Sequence, residues 1–109
     1  MNMNKQPDFI AQLKYKTKEE GGRESYAASG YFPQIKFSFS EKETSGKQAF
    51  IDKDRVYPGE TVSANIELVS PHLFEKCLTE GMEFEFKEGQ RVCGTGIVIT
   101  IINGNLNKR

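Results

Sequence analysis

Arg91-Val92-Cys93-Gly94-Thr95-Gly96-Ile97-Val98-Ile99-Thr100-Ile101-Ile102 is a long run of β-branched residues broken by a pair of glycines. Ile97, Ile99 and Ile101 alternate with Val98, Thr100 and Ile102, so a strand here is expected to be covered on both faces. Glycine weakens a strand unless it marks a bulge, a bend or the close approach of another group. Gly94 and Gly96 share one face, which suits a wall that has to curve or receive bulky neighbours. A small closed barrel makes that demand, and it leaves no strand edge open to solvent.

The same period of two recurs along the chain. Phe9, Ala11, Leu13 and Tyr15 alternate with Gln12, Lys14 and Lys16, and Ile35, Phe37 and Phe39 with Lys36, Ser38 and Ser40. A shorter run spans Gln48 to Asp52 around Phe50. Val62, Ala64, Ile66 and Leu68 then stand against Ser63, Asn65 and Glu67, and Met82, Phe84 and Phe86 against Glu83, Glu85 and Lys87. With Arg91 to Ile102, these runs make six strand candidates. Gly21-Gly22, Ser45-Gly46, Pro58-Gly59 and Glu88-Gly89 supply turn signals between them, and Pro58-Gly59 fits the central positions of a type II turn. Short strands at this spacing predict an all-β sandwich or small barrel, and the in-strand glycines favour the barrel.

One segment departs from the period. Ser70 to Gly81 reads as a short helix or helical turn near 71–79, with Ser70 as N-cap, Pro71 at the first helical position and Gly81 past the end. Leu73, Phe74, Cys77 and Leu78 would then share one face. Residues 8–102 are expected to form a single domain between flexible polar tails at 1–7 and 103–109.

The chain has 109 residues, with 15 Lys plus Arg against 15 Asp plus Glu, 37% hydrophobic and 28% charged residues. That is enough for one core and one domain. No run approaches the roughly 18 apolar residues of a membrane span, and the first residues lack the apolar stretch of a signal peptide, so a cytoplasmic location without membrane contact is expected. Cys77 and Cys93 suit a reducing compartment and read as buried thiols. Zero net charge argues against holding DNA or RNA by bulk electrostatics, while leaving room for a few placed contacts.

Catalytic constellations are weak. Ser45-Gly46-Lys47-Gln48 lacks the first glycine and the metal-binding hydroxyl of a phosphate loop. His72 and Cys77, the one close Cys/His pair, would point to different sides of a helix, and neither cysteine has metal-ligand spacing. Glu83 and Glu85 share a strand face, which reads as a solvated outer surface. No enzyme, cofactor or metal is expected, which leaves a binding module.

Several clusters together resemble a known family. Glu20-Gly21-Gly22-Arg23, followed at six residues by Gly30-Tyr31-Phe32-Pro33-Gln34, is similar to the opening of the C-terminal β-barrel of elongation factor Tu and related translational GTPases. Val56-Tyr57-Pro58-Gly59-Glu60 resembles that family's proline-glycine-acid turn, and Glu88-Gly89-Gln90-Arg91-Val92-Cys93-Gly94-Thr95-Gly96 its closing strand. The resemblance covers about Asp8 to Ile102 and implies a six-stranded antiparallel closed barrel that contacts tRNA and packs on a GTPase domain. It implies RNA-contacting roles for Arg23, Gln34, Ser45, Gly89 and Arg91. Arginine can hold two phosphate oxygens with its planar donors, and a loop amide can bind phosphate without charge. Glu24 stands where the family carries histidine, and Ser70 where a basic residue precedes the second proline. GTP binding is not expected of this length of chain. The implied partners are tRNA or, if the barrel acts as a mimic or decoy of the factor's third domain, a protein of the translation apparatus. Without the resemblance, Arg23 would be expected to pair with Glu19 or Glu20 on the surface.

Overall fold

A computed structural model describes residues 6–108. Its strands are β1 (Phe9–Tyr15), β2 (Ala27–Ala28), β3 (Gln34–Phe37), β4 (Glu43–Phe50), β5 (Arg55–Val56), β6 (Thr61–Leu68), β7 (Glu83–Glu88) and β8 (Arg91–Ile101). Six of them close in the order β1-β6-β4-β3-β7-β8, while β2 and β5 form a separate two-stranded ribbon. Every pairing between the named strands is antiparallel, and β8 closes the circle by pairing with β1 as well as β7. The all-β six-stranded closed barrel expected from the glycines is thus the fold.

The alternation places Phe9, Ala11, Leu13 and Tyr15 of β1, Val62 to Leu68 of β6 and Phe84 and Phe86 of β7 in one interior. Gly94 and Gly96 stand opposite those two phenylalanines, in the register pairs Phe86↔Gly94 and Phe84↔Gly96. A Cβ at Gly96 would lie 2.3 Å from Phe84 Cζ, and one at Gly94 2.3 Å from Phe86 Cζ and 2.5 Å from the Lys14 carbonyl oxygen. The tips of both rings occupy the space that a side chain at these positions would need, which explains the paired glycines in a strand rich in β-branched residues.

The outer face of β8 differs from expectation. Ile97 and Ile99 are exposed, because no second layer covers this wall of a single barrel. Ser45-Gly46 is strand rather than turn: β4 begins at Glu43, and a Cβ at Gly46 would meet Ile35 Cδ1 at 2.3 Å. Gly46 is there for the isoleucine that crosses it. The Pro58-Gly59 turn is as read, with Gly59 at φ 90° and the Glu60 amide donating to the Tyr57 carbonyl at 3.0 Å.

The segment after Ser70 forms a 3-10 turn only over Pro71–Phe74, and the Ser70 side chain does not cap it. The amides that a longer helix would use instead reach the C-terminal segment, Lys76 N to Asn105 O at 2.9 Å and Leu78 N to Leu106 O at 2.8 Å. Phe74 and Leu78 are still buried, with Leu73 and Cys77 packed against the core, so the apolar residues face inward without a helix to align them. Of the two thiols, Cys93 is buried and Cys77 only partly so.

Asn103–Lys108, expected to be loose, are packed. A second 3-10 turn runs over Gly104–Leu106, Leu106 is in the core, and Lys108 N donates to Leu78 O at 2.8 Å. The flexible tail expected over 1–7 lies outside the described residues except for Gln6 and Pro7. At the same end of the barrel Asp8 is 1% exposed. Its carboxylate accepts from Leu68 N at 2.7 Å and from Asn103 Nδ2 at 2.9 Å, and its carbonyl accepts from the amides of Ile102 and Asn103. One buried aspartate thus ties β1, the end of β6 and the C-terminal segment together.

Gly96→Ala should lower stability by about 1–3 kcal/mol through overpacking against Phe84, read from urea unfolding midpoints. Asp8→Ala should cost about 1–3 kcal/mol by removing the carboxylate that the buried Leu68 amide and the half-buried Asn103 side chain donate to, whereas a loosely attached C-terminal segment would make it neutral.

Candidate nucleic-acid interface

Arg23 leaves a turn that its neighbours pin. Thr17 and Glu20 bond reciprocally, Thr17 N to Glu20 Oε1 at 2.9 Å and Glu20 N to Thr17 Oγ1 at 3.1 Å, and Gly22 N closes the loop on Thr17 O at 2.9 Å. The Thr17 amide and hydroxyl hold the Glu20 carboxyl below its usual pKa. Glu20 is therefore used by its own turn, and Arg23 does not pair with it.

The partner of Arg23 is Glu88, on the far side of the sequence. Arg23 Nη1 bonds Glu88 Oε2, while Nε donates to Ser25 O at 3.3 Å and Nη2 to Tyr26 O at 3.0 Å. The guanidinium also lies 4.5 Å from the Tyr31 ring centroid. Tyr31 donates its hydroxyl to the same Glu88 oxygen at 2.5 Å. Burial opposes ionisation of Glu88, but the Tyr31 hydroxyl and the Arg23 charge outweigh it and hold its carboxyl below the usual value. Burial, followed by the bond to Glu88, pushes the Tyr31 phenol well above its ordinary value.

Glu88 opens the hairpin between β7 and β8, pairing with Arg91 across Gly89 and Gln90. A two-residue hairpin needs positive φ at its first central position, and Gly89 has φ 60°. Arg91 is exposed and reaches back to the first cluster, Nη1 to Gly22 O at 3.4 Å. Gln34 opens β3, where its register partners are Ser45 on one side and Lys87 on the other. Lys87 Nζ is paired with Glu43 Oε2 at 3.0 Å.

The five residues that the resemblance implied are thus gathered around one hairpin. Gln34 and Ser45 are neighbours across two strands, Lys87 links them to Glu88 and Gly89, and Arg91 and Arg23 meet at the Gly22 turn. Their availability differs. Arg23 commits three of its five N–H donors to Glu88 and two carbonyls, whereas the exposed Arg91 holds a single long bond to a carbonyl, and Gln34 and Gly89 face solvent. A surface of this kind offers an amide, a hydroxyl, a turn and one lightly engaged guanidinium, which suits hydrogen bonding to a sugar-phosphate backbone. The residues that the sequence reading did not single out are Glu88 as the anchor of Arg23, together with Tyr31 and Lys87. Glu88 and Tyr31 stood inside the quoted clusters, but nothing local signals that they meet Arg23.

Of the side chains weighed for chemistry from the sequence, Glu83 and Glu85 share the wall of one surface cavity. His72 is exposed on the 3-10 turn, Cys77 donates to Glu75 O at 3.2 Å, and burial raises the Cys93 thiol above its usual pKa. Among the described residues no three His, Cys, Asp or Glu side chains group as metal ligands.

Glu88→Gln should destabilise the barrel by about 0.5–1 kcal/mol at neutral pH, a small figure because the Glu88 side chain is 38% exposed and screened by solvent. A carboxyl held below its unfolded value stabilises the fold above about pH 4.5 and loses that effect as the pH falls through the folded value. The gap between the two proteins in denaturant midpoint should therefore close on acidification below pH 4.5, and a gap that stays constant would contradict the pairing.

The closed six-stranded barrel agrees with a comparison of the sequence with protein families. The family described as the elongation factor Tu C-terminal domain matches residues 2–102, and the chain belongs to that family.

Proposed function

We propose that this barrel is a non-catalytic module of the translation apparatus that contacts the backbone of tRNA through the face around the β7–β8 hairpin. The reading is carried by the convergence of Gln34, Ser45, Gly89 and Arg91, distant in sequence, onto one solvent-facing surface. Arg23 acts there as a brace: it positions the hairpin through Glu88 instead of meeting phosphate itself. With zero net charge and Lys87 and Arg23 neutralised by acids, binding rests on few ionic contacts and is modest in its salt dependence.

A titration of labelled tRNA across salt tests this. Binding should be measurable at about 50 mM salt, Arg91→Ala should weaken it and reduce the log–log salt slope by about 0.9, and Gln34→Ala should weaken it with the slope unchanged. No binding at that salt would reject the proposal.

A second reading, a protein-interaction module that copies the factor's third domain, is favoured by a different observation. Phe32 and Val69 are 54% and 58% exposed beside a shallow groove that also involves Lys47, Glu67 and Leu68. Contiguous exposed apolar side chains mark partner surfaces more often than isolated ones do. Under this reading a translation-factor partner binds with little dependence on salt, and Phe32→Ala abolishes the interaction while Arg91→Ala does not.

A further inference from the structure

The ribbon of β2 and β5 lies outside the barrel order and is anchored by its inward residues, Ala27 at 2% and Val56 at 0% exposure. The residues flanking those anchors point the other way. Tyr26 and Tyr57 are 40% and 47% exposed, with ring centroids 5.5 Å apart and planes inclined at 54°. The Arg55 guanidinium lies 4.5 Å from the Tyr26 ring centroid. Among the described residues no carboxylate stands within ion-pair distance of Arg55, unlike Arg23 with Glu88 and Lys87 with Glu43.

The stack is held from both ends by backbone bonds. Arg23 Nη2 donates to the Tyr26 carbonyl at 3.0 Å. On the other side the Tyr57 amide donates to Glu60 Oε1 at 2.9 Å, and Glu60 N returns to Tyr57 O at 3.0 Å across the Pro58-Gly59 turn. Two exposed aromatic rings and a guanidinium held beside them by the Tyr26 ring and Tyr57 without a bonded carboxylate, ordered before any ligand arrives, are a costly arrangement to maintain in water and a low-entropy one to bind with. Nucleobases stack on tyrosine and on guanidinium planes, and the same guanidinium donates to phosphate. A proline-rich or apolar peptide would use the rings and bring no anion to the Arg55 guanidinium, which bonds no carboxylate, so the charge favours a nucleotide.

We propose that Tyr26, Arg55 and Tyr57 form a second RNA contact, which stacks an unpaired base and holds its phosphate. The inference rests on the RNA-binding reading above and adds a site to it. Arg23 joins the two: it bonds the Tyr26 carbonyl on one side and Glu88 of the hairpin on the other, so one RNA with a duplex segment and an unpaired base can cover both surfaces.

Two labelled probes separate this proposal from its parent, a single-stranded RNA of about ten nucleotides and a blunt RNA duplex, each titrated against the full chain. Tyr57→Ala should weaken the single-stranded probe by about tenfold with its salt slope unchanged, and Tyr57→Phe should restore it. Arg55→Ala should weaken the same probe and lower its slope by about one, while Arg55→Lys should restore the slope and only part of the affinity. Neither variant should alter duplex binding, which should instead respond to Gln34→Ala. Both residues are exposed, so unchanged melting curves should accompany every variant. Duplex binding by the wild type with a single-stranded affinity indifferent to Tyr57→Ala overturns the stacking site alone. Failure of the wild type to bind either probe overturns both readings. Loss of a protein partner on Tyr57→Ala, with RNA binding intact, overturns the choice of nucleotide as ligand.

Discussion

Two phenylalanine rings lying on two glycines set the dimensions of this barrel. A six-stranded circle encloses little space, and Phe84 and Phe86 of β7 fill it by turning across the neighbouring strand, where any side chain at Gly96 or Gly94 would overlap them. The rings continue the contact inward: Phe86 meets Tyr15 at 4.8 Å between centroids, and Phe84 meets Phe37 at 5.6 Å and Phe9 at 5.8 Å. Aromatic pairs at these separations add stabilisation beyond their buried area. Because side chains alternate with a period of two, sliding β8 by one residue would put Thr95 under a ring and expose the glycines. The same packing that seals the core therefore locks the β7–β8 register, and with it the positions of Glu88, Gly89 and Arg91 at the hairpin.

Among the described residues the buried polar side chains Asp8, Thr44 and Gln48 each bond to another element, although the Gln48 Nε2 is left without a partner. Asp8 gathers the start of β1, the end of β6 and the C-terminal segment, while inside the barrel Tyr15 donates to Gln48 Oε1 at 2.5 Å. Burial pushes the Tyr15 phenol far above its ordinary value, which keeps it a neutral donor. The Asp8 bonds close one end of the barrel, and the Tyr15–Gln48 bond crosses its interior.

At the hairpin, electrostatics divides the basic residues by role. The Arg23 guanidinium has a carboxylate, two carbonyls and an aromatic face around it, which engage three of its five N–H donors. Arg91 and Arg55 carry the same group with fewer obligations. The difference lies entirely in neighbours, because the three side chains are chemically identical.

Most of the fold was legible in the sequence, because a strand's alternation and a glycine's missing side chain are local properties that survive any rearrangement of the rest. The runs at Phe9, Ile35, Val62, Met82 and Arg91 marked five barrel strands, and Gly94-Thr95-Gly96 marked the closure. Gly46 misled for the complementary reason: before serine and lysine pairings are known, a glycine that clears Ile35 looks the same as one that makes a turn. Ser70 to Gly81 carried helix-start and helix-stop residues, but its amides found the C-terminal segment, a partner some thirty residues away. For the candidate site, the family resemblance named the residues, and the register set Gln34 beside Ser45 and Lys87 and Glu88 opposite Arg91. Which of them are free was not legible. Arg23 had two acids within reach along the chain, and it took the one 65 residues distant. The sequence sets which backbone conformations each segment prefers; only closure of the barrel sets which charges touch, because that depends on register and loop path summed over the whole chain.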